Sequence, residues 1–126
     1  STGGNRYASL TLRFRHLLDK SLAEEKRPGA YASMLHVSET YLNEAVRAVT
    51  GLSVGAYIRA RVVLAAKREL VYTRGSVSQI AASLGYDDYS YFSRLFRKET
   101  GQTPTEFRKN RGLSYIHPDD AISSHT

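Results

Sequence analysis

The chain repeats itself, and the repeat limits its architecture more than any other feature. At an offset of 50, Tyr41-Leu42 falls on Tyr91-Phe92, Val46-Arg47 on Phe96-Arg97, Thr50-Gly51 on Thr100-Gly101, Ser53 on Thr103 and Tyr57 on Phe107. Upstream the offset becomes 49, placing Tyr31-Ala32 on Ile80-Ala81, Leu35 on Leu84 and Val37 on Tyr86, so the second copy carries one extra residue in its turn. Self-similarity at this period marks a supersecondary unit used twice.

Each copy reads as a short helix, a turn of about four residues and a longer, capped helix. Ala32 and Ala81 are small where the two helices must cross closely, and Val37 and Tyr86 supply the apolar residue that seals the turn. This is helix-turn-helix grammar. The punctuation agrees: Gly51, Gly75 and Gly101 read as helix stops in a left-handed conformation. Ser76-Val77-Ser78-Gln79 and Thr103-Pro104-Thr105-Glu106 have capping-box spacing, the second with proline at the first helical position. Alternating runs of strand type are absent.

The expected fold class is therefore all-α, with seven helices at roughly 10–26, 29–35, 38–49, 54–73, 77–84, 88–99 and 104–110. Two helix-turn-helix units, about 29–50 and 77–99, are joined by a long linker helix at about 54–73. The first helix is amphipathic, with Leu10, Phe14, Leu17, Leu18 and Leu22 on one side. On the linker, Tyr57, Ile58, Val62, Ala65, Ala66 and Leu70 suit packing, while Arg59, Lys67 and Arg68 suit solvent. Its length of about 30 Å approaches the ~34 Å between successive turns on one face of a DNA duplex. The double unit is expected over 10–111, after a disordered or foreign start at 1–9 and before a flexible tail at 112–126.

With 126 residues, a net charge of +6 and a pI near 9.7, the chain suits one soluble domain with a polyanionic partner. The lack of cysteine excludes disulfides and thiolate metal sites. No run approaches the ~18 to 20 apolar residues of a membrane span, and the start lacks a secretion-signal layout. A cytoplasmic location is expected. Because the chain opens Ser1-Thr2-Gly3-Gly4 without an initiator methionine, it is expected to be a piece of a longer protein.

The run Val77-Ser78-Gln79-Ile80-Ala81-Ala82-Ser83-Leu84-Gly85-Tyr86, its continuation Tyr91-Phe92-Ser93-Arg94-Leu95-Phe96-Arg97-Lys98, and Gly101-Gln102-Thr103-Pro104-Thr105-Glu106-Phe107-Arg108 resemble the DNA-binding domain of the AraC/XylS family of bacterial transcription regulators. Tyr41-Leu42, Thr50-Gly51 and Tyr57-Ile58 extend the resemblance to about residues 10–111. It implies sequence-specific binding of double-stranded DNA, two recognition helices entering successive major grooves, and a nucleoid-associated place in a bacterial cytoplasm. It also implies contact with RNA polymerase and a separate effector-sensing or dimerising domain, hence a homodimer through a part outside this chain. The sequence departs from the family's habits at Glu44, Val46, Val62 and Glu69. The first two predict a weaker DNA contact for the first unit.

On the second recognition helix the apolar set Phe92, Leu95, Phe96 and Tyr91 is assigned to the core, leaving Tyr89, Ser90, Ser93 and Arg94 to read bases. Arg94 suits guanine O6 and N7, the serines suit base edges or phosphate, and Tyr89 suits a thymine methyl. On the first, Leu42, Ala45, Val46 and Val49 face inward, so Thr40, Asn43 and Glu44 are the base-reading candidates, Asn43 for adenine and Glu44 for a cytosine amine. Arg47, Arg97, Lys98, Arg108 and Lys109 are assigned to phosphates, with Arg27, Arg59, Lys67 and Arg111 as further cations.

Other signals lack their context. Gly51-Leu52-Ser53-Val54-Gly55 matches the nucleophile-elbow pattern, but that mechanism needs a strand before the serine, and here a helix precedes it. Ser53 reads instead as the cap of the linker helix. His16, His36, His117 and His125 show no ligand spacing, and Asp119-Asp120 sits in the tail. The basic first helix needs its Leu and Phe positions for the core, which argues against a membrane surface. No enzyme, metal or cofactor is expected. The alternative is a helical protein-interaction module whose DNA surface has decayed, supported by Glu39 and Glu44.

Overall fold

A computed structural model of the chain describes residues 2–114, with side-chain surroundings for residues 4–110. Among the described residues there are seven α-helices and no strand: α1 (Thr2–Ser21), α2 (Pro28–Met34), α3 (Glu39–Thr50), α4 (Val54–Tyr72), α5 (Val77–Ser83), α6 (Tyr89–Thr100) and α7 (Pro104–Ser114). The chain divides between Val62 and Val63, inside α4, into two compact units. The flexible tail expected at 112–126 lies, beyond Ser114, outside the described residues.

In the first unit, Leu10, Phe14 and Leu18 recur every four residues along α1 and are buried with Tyr31, Ala32 and Leu35 of α2, Leu42, Ala45 and Val46 of α3, and Val54, Ile58 and Val62 of α4. Each large apolar side chain removed from water in this way contributes about 1.5–3 kcal/mol relative to exposure. The Phe14 ring meets Tyr31 edge-on at 5.5 Å and Tyr57 at 5.7 Å. Tyr31 donates its buried hydroxyl to the Glu25 carbonyl at 2.8 Å, and burial pushes its phenol up to about 12. Arg61 pairs with Asp19.

α1 differs from its expected span at both ends. It begins at Thr2, within the residues read as a disordered start, because Tyr7 finds partners on α3: its ring lies 5.7 Å from that of Tyr41. It ends at Ser21, before Leu22. There the Glu24 and Glu25 amides donate to the Ser21 carbonyl, and Lys26 Nζ donates to the Leu22 carbonyl at 2.9 Å and the Ala23 carbonyl at 3.3 Å. The cation thus sits on the turn that follows the helix's C-terminus, where positive charge is favourable.

The second unit packs Val63, Ala66 and Leu70 of α4, Ile80 and Ala81 of α5, Leu84 of the turn, Phe92 and Phe96 of α6 and Phe107 of α7 into one core. Tyr86, Phe92, Phe96 and Phe107 form a chain of ring contacts at 5.5, 6.2 and 5.6 Å. Lys67, assigned to solvent from the sequence, is half-buried with its ammonium 5.6 Å from the centre of the Phe107 ring.

The repeat is reproduced hydrogen bond by hydrogen bond. In the first turn His36 N donates to Ser33 O and Val37 N to Ala32 O; in the second, Gly85 N donates to Ala82 O and Tyr86 N to Ala81 O. These are Schellman closures, and each puts one residue in the left-handed region, Gly85 at φ 92° and His36 at φ 59°. Gly51 and Gly101 end α3 and α6 at φ 83° and 84°, as the sequence predicts. Gly75 does not take positive φ. α4 is closed by other groups: Thr73 Oγ1 donates to the Glu69 carbonyl, and an arginine of α7 takes up later carbonyls.

Candidate nucleic-acid interface

The two helices that carry the candidate readers are built alike. Ser38 caps α3 by accepting from the Tyr41 amide at 3.0 Å, and Asp88 caps α6 by accepting from the Ser90 and Tyr91 amides at 2.8 and 3.3 Å. At the far ends Thr50 and Thr100 donate to the Val46 and Phe96 carbonyls while accepting from the amides of Leu52 and Gln102. Both helices are thus fixed at each end, and one face of each is committed to its core.

On α6 the exposed face carries Tyr89, Ser90, Arg94, Arg97 and Lys98, with Ser93 half-buried beside them. Arg94 makes no hydrogen bond or ion pair with another described residue. Arg97 contributes to holding the Glu106 carboxyl below the usual range, although the Thr103 amide and hydroxyl, partners of Glu106 in the capping box of α7, do most of this. Tyr91, assigned to the core from the sequence, is 53% exposed and lies against Tyr86 at 5.9 Å, while Leu95 is half-buried. The extra residue in the second turn is accompanied by a cap of different geometry, so apolar spacing alone overestimated the buried face.

On α3, Thr40, Glu44 and Arg47 are exposed and Asn43 is half-buried; together with Pro28, Glu39, Ser53 and Gly55 they line a groove of about 450 Å³. Val49, assigned inward, is 45% exposed, one residue before the end of α3. Tyr7 of α1 donates its hydroxyl to Glu44 Oε2 at 3.2 Å, and that bond is the main cause raising the Tyr7 phenol above its ordinary value.

Two of the candidates are bonded inside the protein. Asn43, read as an adenine contact, accepts from the Val54 amide through Oδ1 at 2.9 Å and donates through Nδ2 to the Glu39 carbonyl at 3.3 Å. Its amide oxygen helps to start α4, alongside Ser53, whose Oγ accepts from the Ala56 amide at 3.1 Å. Arg108, read as a phosphate contact, donates to the carbonyls of Leu70, Gly75 and Thr73 at 3.0, 2.6 and 3.3 Å. It closes α4, whereas Lys109 is exposed. Sequence reasoning missed both roles together with Tyr7. For Asn43 the signal was present: the repeat puts Ser93 at its position and Pro104 at that of Val54, and proline has no amide to satisfy.

Of the remaining cations, Arg27 is exposed and bonds Glu25 through two hydrogen bonds of 3.0 and 2.9 Å, which helps hold that carboxyl down to about 2. Arg111 lies outside the residues whose side chains are described. Among the described residues no three His, Asp or Glu groups could hold a metal ion together. No single described helix is long and apolar enough to cross a membrane.

A family model described as a helix-turn-helix domain matches residues 31–110. The chain belongs to the AraC/XylS family. What it holds of that family of transcription regulators is the double helix-turn-helix domain, all-helical with seven helices among the described residues. Among relatives, it is 42% identical over 71 residues to the regulatory protein SoxS of Salmonella typhimurium, covering 56% of this chain and 66% of SoxS. It is 33% identical over 92 residues to the bifunctional transcriptional activator/DNA repair enzyme AdaA of Bacillus subtilis, covering 73% of this chain and 44% of AdaA. The chain therefore spans less than two thirds of either relative. Among solved structures, the C-terminal domain of AraT, a response regulator from Geobacillus stearothermophilus, superposes with a TM-score of 0.77 at 27% identity, covering 86% of this chain and 90% of that one.

Proposed function

We propose that this AraC-type domain binds double-stranded DNA sequence-specifically through the outer faces of α3 and α6, each in a major groove, and that α6 is the stronger reader. The observation that carries this reading is the matched pair of rigidly capped helices whose outward faces present Arg94, Ser90, Ser93 and Tyr89 on one and Thr40 and Glu44 on the other. Arg94 has the fork that pairs with guanine, and no partner for it among the described residues. Arg47, Arg97, Lys98 and Lys109 neutralise phosphates.

The same reading makes the chain the DNA-contacting part of a longer regulator that works in a bacterial cytoplasm at promoters. That regulator meets RNA polymerase and dimerises or senses an effector through other segments.

A salt titration tests the DNA reading. Four phosphate contacts give a slope of about −3.6 for log K against log salt concentration, so affinity should fall steeply from low to physiological salt. A partner held instead by apolar contact would leave binding nearly flat.

A further inference from the structure

Three features of the first unit meet at one carboxylate. Asn43 is tied to α4, and the exposed carboxylate of Glu44 stands next to it in the groove on α3. Glu44 is exposed, and a free glutamate there would spread over many rotamers. It is also bonded from outside its own helix. Tyr7, half-buried on α1, rests its ring on Tyr41 at 5.7 Å and 58° and donates its hydroxyl to Oε2 of Glu44.

From this geometry we infer that Tyr7 is a specificity-positioning residue, which fixes the Glu44 carboxylate so that its second oxygen accepts from the exocyclic amine of a cytosine in the major groove. The inference rests on the DNA reading given above and adds a residue that lies on α1, outside the helix-turn-helix unit and outside residues 31–110. The chemistry is one-sided. A carboxylate accepts only, and of the four base pairs' major-groove edges the cytosine N4 amine and the adenine N6 amine are donors; adenine's adjacent N7 acceptor repels a second carboxylate oxygen. One phenol donor occupies Oε2 and leaves Oε1 for the base. The ring contact with Tyr41 keeps that donor in place when the base arrives, so ordering the side chain is done before binding rather than during it.

The test is a specificity profile, the ratio of affinities for duplexes differing at one base pair, measured for the unaltered chain, Tyr7→Phe, Glu44→Ala and the double variant. Tyr7→Phe keeps the ring on Tyr41 and removes only the donor, and melting temperatures of all four report folding separately. The expected result is that Glu44→Ala abolishes cytosine preference at one position, that Tyr7→Phe reduces the same preference about three- to tenfold, and that the double variant equals Glu44→Ala. Random-sequence affinity should not fall in Tyr7→Phe. An unchanged profile in Tyr7→Phe beside a lost preference in Glu44→Ala overturns the role of Tyr7 and leaves the DNA reading standing. A profile unchanged in Glu44→Ala as well removes base reading by Glu44, and the inference with it. If the unaltered chain binds no DNA in a salt-dependent way, the DNA reading itself has failed.

Discussion

Asn43 accepts a hydrogen bond from the Val54 amide at 2.9 Å, so the first residue of α4 is held by the middle of recognition helix α3. The first four amides of a helix have no partner within it, and leaving one unpaired where it is buried costs about 1–3 kcal/mol. Val54 is fully buried. The repeat supplies the control, because Pro104 stands where Val54 does and has no amide, and Ser93 stands where Asn43 does. Asn43→Ala should lower stability by about 1–2 kcal/mol in urea unfolding, and Ser93→Ala by less than about 0.5 kcal/mol. Ser93→Ala should instead change base preference. Equal destabilisation by the two would contradict the assignment of Asn43 as a cap.

His36 holds at φ 59° the position that Gly85 holds at φ 92°. Left-handed backbone costs an ordinary L residue roughly 1–2 kcal/mol, partly offset in glycine by the freedom it loses on folding. His36→Gly should therefore stabilise the first unit by up to about 1 kcal/mol, and Gly85→Ala should destabilise the second by about 1 kcal/mol. Chemical denaturation with an unchanged m-value checks both. A loss of stability in His36→Gly would mean that the imidazole makes a contribution larger than the strain.

Arg108 spreads three donors over the carbonyls of Leu70, Thr73 and Gly75, and a lysine has no planar fork with which to span them. Arg108→Ala should cost about 2–4 kcal/mol of stability, with Arg108→Lys recovering only part. Once folding is accounted for, DNA affinity should be unchanged. The opposite pattern, intact stability with weaker binding to every duplex, would restore a phosphate role.

Tyr31 and Tyr86 are both held up to about 12, in each case first by burial. A phenol whose folded value lies above its unfolded value of 10 keeps its proton in the fold after the unfolded chain has lost it. The stability it contributes is complete below about pH 10 and is lost as pH rises toward 12. Of the nine tyrosines, these two should ionise last in an ultraviolet titration, together with loss of helical circular dichroism. Ionisation of all nine near pH 10 with the fold intact would show that neither ring is buried as described.

What the sequence made legible follows from how local each feature is. The seven helices, the capping boxes at Ser76 and Thr103 and the left-handed Gly51 and Gly101 depend on a few neighbouring residues, and the repeat doubles each signal. The bonds of Asn43 and Arg108 inside the protein were not legible because their partners, Val54 and the end of α4, come from other elements, and an outward-looking polar side chain gives no sign of which backbone group it will meet. The start of α1 was hidden for the same reason: Ser9, Ala8 and Asn5 carry little helical pattern, and Tyr7 gains its place only once α3 is there. Lys67 shows that a charged residue can belong to the core through its stem and a ring face.

The central claim, that α3 and α6 each read bases, is tested most directly by selecting binders from a randomised duplex library at physiological salt and sequencing the retained DNA. Two short enriched blocks about one helical turn apart are expected, with Arg94→Ala erasing a guanine from the stronger block and leaving the other unchanged. No enriched sequence, with equal retention of all duplexes by the unaltered chain and by Arg94→Ala, would contradict it.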